Sequence, residues 1–347
     1  MRILVIGGTS FIGFYVVHQL SAMGHEVTVF NRGQTQADLP LGVKHIQGDR
    51  LHLADLRSDF VRLAPQVVLD MILYTEPDAV TMVNTFRGIV PRVVVVSSMD
   101  VYLAYGVFLR LESSPLEPVP LTEDSPLRQH LYPFREMPTR ALNTPADYEK
   151  ILVERVVMAD PDLPSTIIRL PMVYGPKDPL HRLFPYLQRM NDRRPAIVLE
   201  ESIARWRGSW GYVENVAAAI AMAVTDERAS NRIYHVAEPE VLSEGERLSR
   251  IGWLVGWQGN VVAVPKNYLP ADWMLPFNTE QHWFIDTTRI RQELHYSEVV
   301  SLDEAFKRTL DWQRSHPPQE NSPWAAPYLL DYATEDSILS ELEQYHH

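Results

Sequence analysis

The sequence predicts an α/β protein built as a doubly wound parallel sheet with a smaller C-terminal α/β part. Three observations carry this. Short apolar runs suited to buried strands recur at residues 3–6, 26–30, 43–46, 67–71, 93–96 and 165–170. Helical stretches alternate with them, and a parallel sheet with crossover helices is the economical way to join such a series. The first run leads at once into Gly7 and Gly8, then into a helical apolar pattern from Phe11, Ile12 and Gly13 through Val16, Val17 and Leu20.

That opening unit sets the fold type. Gly7 allows a tight turn, Gly13 allows close helix–strand packing, and Gly24 stands where a C′ glycine ends a helix. A helix N-terminus then points at the end of a buried strand, where free N–H groups and the helix dipole attract an anion. Gly7, Gly8, Thr9, Ser10, Phe11, Ile12 and Gly13 therefore read as the pyrophosphate loop of a Rossmann-type dinucleotide site.

The second strand ends in Asn31-Arg32-Gly33. No carboxylate stands there to hold a ribose 2′-hydroxyl. Arg32 can pair instead with the 2′-phosphate of NADP, or be a solvated loop residue, so the expectation is NADP or NAD with a lean to NADP. The third strand ends at Gly48-Asp49-Arg50, and helical periodicity follows to about residue 63. The fifth closes in Ser97-Ser98-Met99-Asp100-Val101-Tyr102, whose side chains should face the ligand crevice at the carboxyl end of a central strand.

Residues 103–147 are Pro-rich with little periodicity and read as a long loop or lid with short helical pieces. Residues 148–159 form a helix with Ile151, Leu152, Val156 and Val157 as its apolar face. The sixth strand runs into Pro171-Met172-Val173-Tyr174-Gly175-Pro176. Further on, 216–224 is helical and 233–236 a strand. Ser243 with Glu246, and Ser301 with Glu304, have capping-box spacing. The last clear helix, 302–315, stops before Pro317-Pro318, and a weakly amphipathic stretch covers 335–345. The expected division is a cofactor-binding domain at 1–175, with 103–147 inserted in it, a mainly substrate-binding part at 176–315, and a tail at 316–347.

Composition narrows the function. Among 347 residues, 46% are hydrophobic and 22% charged, an ordinary globular balance. The net charge of −12 disfavours nucleic acid and anionic membranes, whose phosphates would repel it. A local Arg cluster could still hold an anionic substrate. There is no Cys, which excludes thiolate chemistry and fits a reducing cytoplasm. The start leaves no room for a signal peptide, no run is long enough to span a bilayer, and no metal-ligand spacing occurs.

Four motifs in order resemble the extended short-chain dehydrogenases/reductases, the NAD-dependent epimerase/dehydratase family: Gly-Gly-Thr-Ser-Phe-Ile-Gly at 7–13, Ser-Ser-Met-Asp-Val-Tyr at 97–102, Lys150 with Glu154, and Arg-Leu-Pro-Met-Val-Tyr-Gly-Pro at 169–176. Tyr-Val-Glu-Asn-Val-Ala at 212–217 and Asp-Thr-Thr-Arg-Ile-Arg at 286–291 are similar to its C-terminal half. The resemblance covers roughly residues 1–315. It implies cofactor contacts from the 7–13 loop, Asn31, Arg32, Asp49 and Arg50 near the adenine, Tyr74 near the nicotinamide ribose, and Ser97, Lys150, Pro171 and Val173. Ser10 stands where the family has its middle glycine, as in the atypical branches.

The resemblance implies catalytic roles for three residues. Ser98 matches the serine that hydrogen-bonds the reacting oxygen. Lys150 matches the lysine that holds the nicotinamide ribose and lowers the pKa of a neighbouring tyrosine. Asp100 occupies the place of the carboxylate that sugar-nucleotide dehydratases use at the carbon next to the ketone; a turn cap is the plain alternative. The family's Tyr-x-x-x-Lys is broken, because Ala146 stands four before Lys150. Tyr148 is two before it, about 200° round a helix, and is expected to face away from Lys150 and to be dispensable. The stretch between Ser98 and Lys150 is longer than the family's, and its Tyr105 or Tyr132 is left as the candidate acid. Tyr132, Arg135, Arg205 and Arg207 are weaker substrate candidates, the last two as cations for a diphosphate or as a solvated pair round Trp206. The expected activity is epimerase/dehydratase-like, on a hydroxyl or carbonyl carbon of a small polar substrate such as a nucleotide sugar, in a homodimer. A simple carbonyl reductase, or a redox-inactive cofactor-binding regulatory or RNA-associated protein, are the alternatives.

Overall fold

The computed structural model describes residues 1–35, 37–135, 144–318 and 330–345. The middle of the predicted insertion (136–143), part of the tail (319–329) and His346-His347 lie outside the described residues.

The strands are β1 (Arg2–Ile6), β2 (Glu26–Asn31), β3 (Lys44–Gln47), β4 (Val67–Asp70), β5 (Val93–Ser98), β6 (Ser165–Leu170), β7 (Met172–Tyr174), β8 (Ala196–Glu200), β9 (Trp210–Tyr212), β10 (Arg232–His235) and β11 (Asn260–Val264). The helices are α1 (Phe11–Ala22), α2 (Arg57–Leu63), α3 (Glu76–Phe86), α4 (Leu103–Phe108), α5 (Lys150–Met158), α6 (Phe184–Asn191), α7 (Glu201–Arg205), α8 (Val213–Thr225), α9 (Glu244–Leu254), α10 (Thr288–Leu294), α11 (Leu302–Ser315) and α12 (Tyr332–Tyr345).

The main sheet has the order β10-β6-β5-β4-β1-β2-β3 with parallel pairing throughout. Its strand order reverses between β1 and β4, so the ligand crevice belongs at the carboxyl ends of those strands. The unbroken apolar strands follow from burial on both faces. Ile3 and Val5 join Val16, Val17 and Leu20 of α1 and the small residues of α8 on one face. Leu4 and Ile6 join Phe60 of α2, Phe86 of α3 and Val153 of α5 on the other. Each such side chain contributes about 1.5–3 kcal/mol when fully buried.

The boundary expected at residue 175 does not divide this sheet. β10 pairs with β6, and α8 lies against α1, so residues 213–235 complete the first unit. The reason is the open edge of β6, which a later strand covers. Outside the main sheet, β7 pairs with β9 and β8 with β11. Aromatic packing joins the insertion to this part: Phe108 of α4 stacks on Trp206 and Phe277, and Tyr105 stacks on Trp283. The capping box at Ser243 and Glu246 is formed. That at Ser301 is not, because Glu304 bonds Arg308 instead. In the tail, α12 docks by burying Glu335 between Arg189 and Arg194. Among the described residues no helix is long and apolar enough to cross a membrane.

Candidate active site at the carboxyl edge of the sheet

The glycine loop has the geometry its residues predict. Gly7 has φ +90°, a conformation that L side chains rarely adopt. A Cβ on Gly13 would lie 2.9 Å from the Cα of Gly8, so α1 can approach β1 only with glycine there. Ser10 caps α1 in an extended conformation and makes no side-chain cap bond, which leaves the first-turn N–H groups directed at the sheet edge. This cradle, which a single Cβ would fill, fits a dinucleotide pyrophosphate.

The surrounding predicted cofactor residues divide. Asn31 bonds Thr9, His45 and the N–H of Gly33, tying the end of β2 to the loop. Arg32 is exposed. Asp49 caps the following turn through the N–H of Leu51. Arg50 is not a free cation: it forks onto both oxygens of Asp70 at 3.1 and 2.9 Å and onto the carbonyl of Ile72. Ser97 turns away from the crevice, because successive strand residues face opposite sides. Its hydroxyl donates to Glu154, which also pairs with Arg169, in a buried network. The side chain of Val173 belongs to the core, and Pro171 packs beside Gly211.

At the end of β5, Ser98 caps the turn that follows through the N–H of Asp100. Asp100 is buried, and its Oδ2 accepts from the hydroxyl of Tyr148 at 2.7 Å. The Ser98 hydroxyl lies close enough to the side chains of Asp100 and Tyr148 to favour their ionised forms. Oδ1 of Asp100 is buried without a hydrogen-bond partner among the described residues. Lys150 donates to the carbonyls of Leu73 and Val96 at 2.7 and 2.8 Å. Its ammonium lies 4.9 Å from the ring centre of Tyr74 and 5.8 Å from that of Tyr148.

The expected orientation of Tyr148 is therefore overturned. α5 begins at Lys150, two residues later than its periodicity suggests, and Glu149 is its extended cap. Tyr148 lies outside the helix, so the 200° argument does not apply to it. Tyr105 stacks on Trp283 at 4.5 Å, and Tyr132 lies under the guanidinium of Arg135, which also pairs with Asp147. Tyr148 is the tyrosine whose hydroxyl is hydrogen-bonded to Asp100 among the described residues, and Tyr105 lies near enough to feel the Asp100 charge.

Burial dominates the electrostatics of the cluster. It pushes the Asp100 carboxyl above the ordinary range, against the pull of Arg128. It also pushes the Tyr148 hydroxyl well up, with the Asp100 charge acting in the same direction. It lowers the Lys150 ammonium to about 8. Such opposed shifts in one crevice suit acid–base chemistry.

The diphosphate cations fare less well. Arg207 is engaged by the carbonyl of Val241 and by Glu246, and Arg205 is an exposed partner of Glu201 at 3.6 Å. Trp206 between them is core and donates to the carbonyl of Gln281. Two buried residues escaped sequence reasoning, Arg128 and Glu149. An acid in the first turn of the expected helix was a local signal for Glu149. Arg128 had none.

A model of the NAD dependent epimerase/dehydratase family matches residues 3–237. 2'-Dehydrokanamycin reductase of Streptomyces kanamyceticus is 26% identical over 299 residues, 83% of this chain and 75% of that protein. Chloroplast stem-loop binding protein of 41 kDa b of Arabidopsis thaliana is 23% identical over 98% of this chain and 84% of its own. In structure, the UDP-glucose-4-epimerase of Stenotrophomonas maltophila, solved with NAD and formylated UDP-arabinopyranose, superposes with a TM-score of 0.68 at 16% identity, covering 91% of this chain and 98% of that one. The glycine cradle, the cluster at the end of β5 and a family match over most of the chain agree: the protein belongs to the NAD dependent epimerase/dehydratase family.

Proposed function

We propose that this chain oxidises or reduces a hydroxyl or carbonyl carbon of a small polar substrate at the end of β5, with Tyr148 moving the proton of the reacting oxygen. The observation that carries the reading is the meeting of buried Tyr148, Asp100 and Lys150 with half-buried Ser98 at the end of β5. The dinucleotide, when bound in the loop, supplies or accepts hydride. Ser98 donates a hydrogen bond to the substrate oxygen. Tyr148 passes that oxygen's proton, and the Lys150 charge near its ring stabilises the deprotonated form. Asp100 holds the Tyr148 hydroxyl, and its second oxygen is available for a proton on the neighbouring carbon.

A nucleotide sugar is the first substrate class, in keeping with the family. A second reading, reduction of a sugar ketone that carries no diphosphate, is favoured by the engagement of Arg207 with Val241 and Glu246. The similarity to 2'-dehydrokanamycin reductase supports the same reading. The net charge of −12 argues against RNA as a partner and suits a cationic amino sugar. NADP is accepted through Arg32, which is exposed beside the loop.

The test is a panel of UDP-sugars, dTDP-glucose and keto-amino sugars with NAD(H) and NADP(H). Epimerisation or dehydration changes the sugar without net change in cofactor absorbance, whereas reduction consumes NAD(P)H. No turnover of any panel member, with cofactor bound, would count against the reading.

A further inference from the structure

The start of α5 is built by a buried ion pair. Glu149 has φ −157° and ψ 98°, and its carboxylate accepts from the N–H of Ile151 at 2.9 Å. Glutamate is not a preferred N-cap, and a shorter Ser or Asp would serve that N–H as well. The longer carboxylate does more. It takes the Arg128 guanidinium at 3.1 and 3.4 Å and the N–H of Tyr132 at 2.6 Å. Arg128 in turn donates its Nε to the carbonyl of Asp100 at 2.5 Å and an Nη1 hydrogen to the carbonyl of His130. The side chains of both Arg128 and Glu149 are 0% exposed. The N–H of Glu149 bonds the carbonyl of Tyr74 at 3.0 Å.

We propose that Arg128 and Glu149 are a positioning pair that sets the Tyr148 hydroxyl against Asp100, so that a tyrosine two residues before Lys150 reaches the reacting oxygen. The inference rests on reading Tyr148 as the proton-transfer group. The geometry is specific. Arg128 grips the main chain of Asp100 at one end of the 2.7 Å bond. Through Glu149 it grips the residue next to Tyr148 at the other. Phe134, from the same segment as Arg128, covers the Tyr148 ring at 5.2 Å. Buried ion pairs add little net stability over well-packed apolar groups. Fixing one arrangement of two chain segments is the better account of this one.

The test uses the full chain with tyrosine labelled at Cζ with ¹³C, the Tyr148 signal being assigned from Tyr148→Phe. Asp100→Asn is introduced into the natural chain, into Glu149→Gln and into the double variant Arg128→Met/Glu149→Gln. The double variant removes both charges of the pair together, so that neither Arg128 nor Glu149 is left buried without its partner. NAD affinity by calorimetry and circular dichroism verify that each protein is folded. Asp100→Asn is expected to move the Tyr148 signal in the natural chain and to leave it unmoved in the double variant. A shift of equal size in both overturns the proposal. On a substrate found in the panel above, the double variant should lose about 10²-fold in kcat with the KM for NAD unchanged. Full turnover by Tyr148→Phe would sink the functional reading instead, while the Tyr148 signal still decides whether the pair positions it.

Discussion

The hydroxyl of Tyr148 donates to Oδ2 of Asp100 at 2.7 Å, across 48 positions of sequence and at the mouth of the central strand. This bond reverses the expectation drawn from helix periodicity. Tyr148→Phe should cost about 10²–10⁴ in turnover, the range for loss of one acid–base group, with unchanged circular dichroism. Ser98→Ala should cost a similar amount. Full activity in Tyr148→Phe, measured on any substrate the enzyme turns over, would return the acid to an unidentified residue.

Gly13→Val should abolish dinucleotide binding. Its Cβ alone would stand 2.9 Å from the Cα of Gly8 and 3.2 Å from its nitrogen. Those are backbone atoms that cannot rotate aside, and overpacking of this kind also costs about 1–3 kcal/mol of stability. Calorimetry with NAD on the folded variant checks it, and natural affinity would refute the assignment of the loop.

Lys150 should make stability depend on alkaline pH in a definite direction. Burial lowers its folded value to about 8 from an ordinary 10.5. Between those values the unfolded chain carries a proton that the folded chain does not, so stability rises as pH increases through this window. Lys150→Met lacks that rise. Denaturant unfolding of both proteins from pH 7.5 to 10.5 should open a gap of about 3 kcal/mol in their difference. A constant difference would mean that Lys150 keeps its ordinary value.

Arg32 should matter to NADP more than to NAD. It is exposed directly after β2, in the turn Asn31-Arg32-Gly33, which carries no carboxylate of its own. One charge-assisted contact is worth about 1.5–3 kcal/mol, so Arg32→Ala should weaken NADP at least tenfold and leave NAD nearly unchanged. Equal losses for both cofactors would remove Arg32 from that position.

We expect a homodimer through α3 and α5. Val80 and Met158 stand 43% and 37% exposed on these two helices, and a second copy would cover them. Light scattering should give twice the chain mass, and Val80→Glu with Met158→Glu should halve it. A monomeric natural chain at all workable concentrations would contradict the expectation.

The sequence by itself determined the first six strands of the sheet and the cradle, while the seventh, β10, was placed by the fold. Runs such as Ile3 to Ile6 must be buried on both faces, and Gly7 and Gly13 meet local steric demands that no other residue satisfies. Those are short-range facts, readable from composition and spacing. Ser98, Asp100 and Lys150 could be marked from motif order, because strand ends and helix starts carry them to one edge. Tertiary structure alone decided the rest. Whether Tyr148 belongs to α5 depended on Glu149, whose extended conformation is held by Arg128 and by the carbonyl of Tyr74. Whether Ser97 or Ser98 faced the crevice depended on Glu154 and Arg169 drawing Ser97 into the interior. Whether Arg50 and Arg207 were free cations depended on Asp70 and Glu246, each brought in from a distant part of the chain. A charge or hydroxyl in sequence carries no record of its partner. Burial makes each such group find one, and the choice is made by the packing of the whole chain.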